Sequence, residues 1–419
     1  MKKIDLKMVC LITFAAVSAA GCRSYEANPI DWDAEAQAGI TNVIRISSAE
    51  DAAQLALVGN RELNAMRLKA GGSARVAKET GWWEDPELDF DFMRIVNPSD
   101  NPFLGGGSIA FTIPLSGALA LDEKAAEAYA AADAADIRAA ESDVAAEARQ
   151  AAIRLYALRR RGRMLVDWSR DERAERARRN VERLHEAGEV SASDLAGLRR
   201  RMHTLRHEIM ENAKAVTAAE IGFLRLLGLR PGCRIELALA DVKDVAGPSA
   251  DDDPLELVKH PKVAAALERL GGTEYSLRAE IRRQYPDLKL GPAYVNEEGL
   301  DRFGIVAGIS IPLWNRNRKG IAEAQAARDN ARLAAIDAWR TLVCDAAEAR
   351  ANLAQLLKHP PVPSSEREYT DRLADAGELT PLEYLAVRDE IMEFELADVD
   401  WRRDVALAVA ELERLKANR

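Results

Sequence analysis

The chain repeats itself at a spacing of about 200 residues, and no other feature narrows its fold as much. Leu55-Ala-Leu-Val-Gly-Asn60-Arg-Glu-Leu63 is answered by Leu255-Glu-Leu-Val-Lys-His260-Pro-Lys-Val263. Asp85-Pro-Glu-Leu-Asp-Phe90 is answered by Tyr285-Pro-Asp-Leu-Lys-Leu290, and the run ending Ile113-Pro114-Leu115 by the one ending Ile311-Pro312-Leu313. Arg183-Leu184-His-Glu-Ala-Gly188-Glu-Val-Ser191 is answered by Arg372-Leu373-Ala-Asp-Ala-Gly377-Glu-Leu-Thr380. Matches that keep one order along the chain mean an internal duplication, and a twofold repeat means one architecture built from two similar halves. The halves run over 48–247 and 248–419.

Residues 1–21 read as a secretory signal peptide. Lys2, Lys3 and Lys7 form a basic start interrupted by Asp5, and Met8–Val17 is an apolar run too short to span a bilayer. Ser18-Ala-Ala-Gly21 then leads to Cys22, which resembles a bacterial lipoprotein cleavage site. That resemblance implies lipid, palmitate included, on Cys22, and Arg23 after it favours sorting to the outer membrane. An ordinary signal with Cys22 as a bystander is the plainer alternative. Residues 22–47 are then a lipidated, extended N-terminal arm. Cys233 and Cys344 are the remaining thiols of the mature chain; they are two buried thiols or a pair, and the sequence does not decide.

The net charge of −10 speaks against a nucleic-acid partner. No apolar stretch after the signal is long enough for a transmembrane helix, so a membrane crossing would need strands in a closed barrel. Strand patterns come in pairs. Leu88-Asp-Phe-Asp-Phe92 and Ile109-Ala-Phe-Thr-Ile113 alternate, with turn residues Asn97–Gly107 between them. The second half has Leu288–Val295, a loop at Asn296–Arg302, and an alternating run from Phe303 to Ile311. The predicted strands are 87–96, 108–115, 287–295 and 303–313, each about the ten residues that a tilted strand needs to cross a bilayer. Four strands cannot close a barrel, so several chains would have to share one. A soluble hairpin packed on a helix fits the same pattern.

Long helices follow each hairpin, as the Ala-rich composition favours. The first is predicted over 122–187, with Gly162 as its only candidate breaker, and would be roughly 100 Å long. Gly188 closes it, and Ser191–Asp194 opens the next, over 191–228, with a capping box. The second half runs over 320–376, with a weak point at His359–Pro363. It turns at Gly377 and restarts over 380–416 with Thr380, Pro381 and Glu383. The fold class expected is mainly α with a small transmembrane β part, as a duplicated unit of β-hairpin plus long antiparallel helical hairpin.

With these landmarks in register, nearly the whole mature chain resembles the TolC-type outer membrane efflux family. Ile311-Pro-Leu-Trp-Asn-Arg-Asn317 and the following Gly320-Ile-Ala-Glu-Ala resemble its heavy-metal branch, of the CzcC kind, although Asn-Arg-Asn also suits a simple strand-to-helix turn. The resemblance implies a homotrimer with a twelve-stranded β-barrel above an α-helical periplasmic barrel. It implies a periplasmic adaptor and an inner-membrane pump of RND or ABC type as partners, and contact with outer membrane lipids. Adaptor docking would fall at the far tip, on Arg183, Leu184, Gly188, Ser191 and Asp194 and on Arg372, Leu373, Gly377 and Thr380. The family narrows its entrance with acids six and nine positions after the second tip glycine. Glu383 keeps the first and Ala386 lacks the second. Three copies of Glu383 would favour cations, and Glu383 also suits a helix cap.

Other sites carry less. His203 and His207 share a helical face but lack a third ligand, and His207-Glu-Ile-Met-Glu211 lacks the second His of a metalloprotease helix. Gly105-Gly-Gly107 reads as loop, not phosphate cradle, and Arg159-Arg-Arg161 as a solvated helix face. No catalytic constellation, cofactor motif or metal site is evident. Two functions fit: a trimeric efflux duct, or a non-conducting periplasmic coiled-coil lipoprotein with a structural role.

Overall fold

Buried alanines recur every seven residues along the longest helix, at Ala118, Ala125, Ala132, Ala139 and Ala146. Small side chains at heptad spacing let neighbouring helices approach closely, and that spacing organises the body. The computed structural model describes residues 25–37, 43–94, 103–239, 253–297, 300–361 and 367–416. Cys22 with its signal, the 97–102 part of the first loop and Pro363 lie outside these residues.

The chain divides into two units, Met1–Ile40 and Thr41–Arg419. Within the first, a short helix α1 (Trp32–Gln37) begins where the Asp31 carboxylate accepts from the N–H groups of Asp33 and Ala34. The second unit holds the duplicated architecture. β1 (Val43–Ile46) leads into α2 (Ala49–Gly59) and α3 (Arg61–Lys78). The hairpin β2 (Glu87–Arg94) and β3 (Phe103–Ile113) follows. After it come α4 (Ala118–Ser169), α5 (Glu172–Glu186), α6 (Ala192–Leu226) and β4 (Arg234–Leu237), which pairs in parallel with β1. The second half has a 3₁₀ turn (Pro254–Lys259), α7 (Pro261–Arg282), β5 (Leu288–Glu297), β6 (Leu300–Ile309), α8 (Arg318–Lys358), α9 (Arg367–Asp375) and α10 (Pro381–Leu415).

The repeat reaches further than one hairpin and one helix pair. Each half also places a helical segment before its strands, α3 in the first and α7 in the second, which the sequence reading did not foresee. The matched residues Asn60 and His260 are buried N-caps of these two helices, accepting from the N–H groups of Leu63 and Lys262.

Three expectations are corrected. The helix predicted over 122–187 is two helices, and it breaks at Arg170–Asp171, not at Gly162. The Asp171 carboxylate caps α5 by accepting from Arg173 and Ala174 at 3.0 and 2.9 Å, ending α4 by offering a better-satisfied restart. The arm expected to be extended over 22–47 contains α1 and β1. Gly105–Gly107, read as loop, lies inside β3 opposite both β2 and β5. A Cβ at Gly106 would stand 3.0 Å from the Tyr294 carbonyl oxygen, so glycine there serves strand packing.

The strands form one antiparallel sheet in the order β2-β3-β5-β6, so the two hairpins are joined through β3 and β5. Its faces are unlike. Leu88, Phe90, Phe92, Ile109, Phe303 and Ile305 fall on one face by the pairing register. Phe90 is 77% exposed, Phe303 84% and Ile305 76%. The other face carries Asp89, Asp91, Ser108 and Thr112, with the ion pairs Lys289–Glu87 at 2.6 Å and Arg302–Glu297 at 3.0 Å. Trp82, Trp83 and Trp314, all exposed, flank the strand ends on the helical side of the sheet.

Candidate functional site

The two glycine turns are built alike. Gly188 has φ +82° and Gly377 φ +76°, a left-handed conformation that glycine adopts without steric cost. The Arg183 carbonyl accepts from Ala187 and the Leu184 carbonyl from Glu189. In the second turn the Arg372 carbonyl accepts from Ala376 and the Leu373 carbonyl from Glu378. The Arg-Leu-x-x-x-Gly repeat is therefore a helix C-cap used twice. The side chains of Arg183 and Arg372 are left exposed.

The restarts differ. Thr380 and Glu383 make a full capping box: the Thr380 hydroxyl oxygen accepts from the Glu383 N–H, and the Glu383 carboxylate accepts from the Thr380 N–H at 2.9 Å. That backbone bond, with a further one from the Thr380 hydroxyl, holds the Glu383 carboxyl below its ordinary pKa. Glu383 nevertheless stays exposed at the tip. Ser191 also caps its helix, accepting from the Asp194 N–H at 3.1 Å, but the Asp194 carboxylate takes the Ser191 hydroxyl and not its backbone N–H. The capping box expected there is half formed.

The tips pack on one another. Ala174, Ala177, Val181 and Leu195 of the first share an apolar cluster with Tyr384 and Leu385 of the second. Above it lies a buried charge that the sequence reading missed. Arg388 of α10 has a side chain only 2% exposed, bound to Asp171 at 2.6 Å and Asp371 at 3.2 Å. Its guanidinium stacks on Trp168 at 4.3 Å and lies 5.7 Å from the Tyr384 ring centre. Its Nε is buried without a hydrogen-bond partner. Burial raises the Asp171 carboxyl, but backbone bonds from Ala174 and Arg173 and the charge of Arg388 outweigh it and leave the pKa lowered. Burial pushes the Tyr384 phenol up to about 12. One guanidinium thus ties the break between α4 and α5 to α9 and α10. A single Arg on a helix gives no local signal of this. Asp171, with Glu172 and Glu175 behind it, is the local signal that could have placed the cap.

Further corrections concern the basic and thiol residues. Arg159 donates to the Ile235 carbonyl at 2.8 Å and pairs with Glu220, and Arg161 pairs with Asp400 at 2.7 Å, so this run cross-links helices instead of facing solvent. Cys233 is buried and Cys344 exposed, and neither is in a disulfide, so they are neither a pair nor two buried thiols. His203 and His207 are exposed on α6, and among the described residues no group of three or more metal-ligating side chains converges. Asn317, with φ +50°, donates to the Glu280 carbonyl at 2.8 Å, which makes Asn315–Asn317 a strand-to-helix turn. No described helix is long and apolar enough to cross a membrane.

No family model and no curated protein matches the chain. Solved structures do match. A membrane protein from Pseudomonas aeruginosa superposes at a TM-score of 0.72, with 18% identity over 88% of this chain and 93% of that one. The Campylobacter jejuni CmeC outer membrane channel gives 0.72, with 16% identity over 95% and 94%. CusC, described in terms of transmembrane channel formation, gives 0.70, with 16% identity over 88% and 90%. The chain has the fold of a TolC-type outer membrane channel.

Proposed function

We propose that this protein is the outer membrane duct of a tripartite efflux system. Three copies would close their four-stranded sheets into a twelve-stranded barrel, and their helices would form a tunnel below it. The observation that carries this reading is the sheet. One face is apolar, aromatic and exposed, the other is polar and charged, and β2 and β6 are its unpaired edges. Alternation of this kind suits lipid outside and water inside, and edges left open in lipid would be costly unless other copies close them. Trp82, Trp83 and Trp314 fit an interfacial girdle.

Its work would be conduction, driven by an inner-membrane pump of RND or ABC type through a periplasmic adaptor docked at the tips around Gly188 and Gly377. Opening would part those tips. Glu383 would stand at the entrance while capping its helix, and lipid on Cys22 would anchor the arm. No step calls for a catalytic residue or cofactor. Heavy-metal cations are the cargo suggested by residues 311–324. Planar-bilayer recording of the purified protein tests the duct: discrete steps from a heat-modifiable trimer are expected. A soluble monomer released once lipidation is removed would end the reading.

A further inference from the structure

The matched N-caps Asn60 and His260 do one job with different chemistry. Asn60 fastens two elements together. Its side-chain oxygen accepts from the Leu63 N–H at 2.9 Å to start α3, and its amide donates at 3.1 Å to the carbonyl of Leu226, the last residue of α6. His260 holds the same place in the second half. Its Nδ1 accepts from the Lys262 N–H at 3.2 Å to start α7, and its ring faces the Arg414 backbone carbonyl in the last turn of α10. Each half thus fixes the end of its second long helix to the start of the helix that precedes its strands. Both caps are buried, and His260 is only 1% exposed.

The amide of Asn60 keeps its donor and its acceptor whatever the pH. The imidazole of His260 does not. A proton on Nδ1 turns the acceptor of the Lys262 bond into a donor, set against the positive end of α7. The surroundings do not compensate for it. Lys262 on α7 and Arg414 on α10 are themselves cations. Asp143 on α4 is a facing carboxylate, but Lys262 at 2.9 Å and Arg414 at 3.0 Å already share it, and Glu411 of α10 is bound to Arg414 at 2.6 Å. In the 3₁₀ turn, Lys259 and Glu256 pair with each other at 3.1 Å. α8 adds Trp339, Leu342 and Ala346 to the cluster around Val263, and none of these is charged.

We propose that His260 is a proton-released clasp: acid opens the α7–α10 junction of the second half and leaves the matched α3–α6 junction of the first half closed. Opening frees the end of α10 opposite the Gly377 turn, so one half of the body loosens while the other stays fastened. A released ring takes up a proton near the ordinary value of 6.5. Opening is then favoured up to about tenfold more at pH 5.5 than at pH 7.5. Both junctions lie within one copy, so this holds whether or not the chain is a duct.

The test is hydrogen exchange read by mass spectrometry on the full-length protein in detergent at pH 7.5 and 5.5, with each rate divided by the intrinsic rate at that pH. In the wild type, protection over 261–268 and 408–415 should fall about tenfold at the lower pH, while 61–68 and 220–227 stay within about twofold. His260→Asn should abolish that fall. Asn60→His should transfer a fall of the same kind to 61–68 and 220–227. Circular dichroism checks that each variant keeps its helices. Should His260→Asn fail to fold, the wild type and Asn60→His still decide. Protection that does not change at 261–268, that falls equally in both junctions, or that still falls in His260→Asn overturns the proposal.

Discussion

The helical body and the sheet bury their apolar residues by different means. The body encloses its own: Leu155, Leu165 and Val181 are fully buried, and α4 packs against α7, α6 and α2. The sheet encloses nothing comparable on its apolar face, where Phe90, Phe303 and Ile305 stand in the open. A fully buried side chain of that size is worth about 1.5–3 kcal/mol. The body collects this stabilisation within one chain. The sheet can collect it only from something outside the single chain, which on the proposed duct reading is lipid and other copies. One sequence therefore encodes two solvents.

The sharpest way to break this contrast is to damage the body internally. Arg388→Ala would leave Asp171 and Asp371 as poorly compensated charges beneath Trp168. Loss of one member of a buried ion pair costs about 3–5 kcal/mol. The melting temperature should fall sharply, and equally in detergent and in lipid. A fall seen only in lipid would contradict a self-contained body.

On the sheet the expected effect is somewhat smaller and depends on the face. Phe90→Arg would place a charge toward lipid, at a cost of about 2–4 kcal/mol near the midplane. Asp89→Arg, one residue away on the polar face, should insert almost normally. Outer-membrane fractionation and unheated gel migration of the two variants would decide. Equal behaviour would erase the assignment of faces.

A milder change separates the two tips. Thr380→Ala removes the hydroxyl arm of the capping box but keeps the Glu383 bond to the backbone N–H, and should cost about 0.5 kcal/mol, with Ser191→Ala costing about 1 kcal/mol because it removes the one backbone arm that cap has. Thermal melts compared side by side measure the difference.

The gentlest probe is pH. His260 is buried, facing Lys262, Asp143 and Arg414, and burial lowers its pKa from 6.5. The neutral ring is the folded form, so its stabilisation is full above 6.5 and is lost as pH falls below that value. Asp171 is lowered from 3.8, so its contribution disappears only under stronger acid. A melt-versus-pH curve should therefore bend first near 6.5. His260→Asn, which supplies the residue found at the matched position Asn60, should remove that first bend and spare the second.

Much of this was legible because its causes are local. The alternation in 88–92 and 109–113 is a two-residue period, and Gly188 and Gly377 carry their turns in their own backbone freedom. The caps at Ser191 and Thr380 involve residues three apart. The break at Asp171 was equally local, but it was hidden by a helix-favouring composition on both sides. Gly105–Gly107 misled because composition suggests a loop, whereas the strands alongside it suit glycine. Arg159 and Arg161 misled for the same kind of reason, since a basic run looks solvated until Glu220 and Asp400 are brought to it.

The sequence by itself determined the duplication, the order of β-hairpin and long helical pair within each half, and the paired turns, because each is written in short-range periods and single-residue conformational preferences. Only the tertiary structure decided that β3 joins β5 to make one sheet, that Arg388 meets Asp171 across 217 positions, and that one face of the sheet is left for another solvent to cover. Such contacts follow from packing between distant segments, where the gain in burial must exceed the entropy of closing a long loop. No local pattern records which distant partner will achieve it.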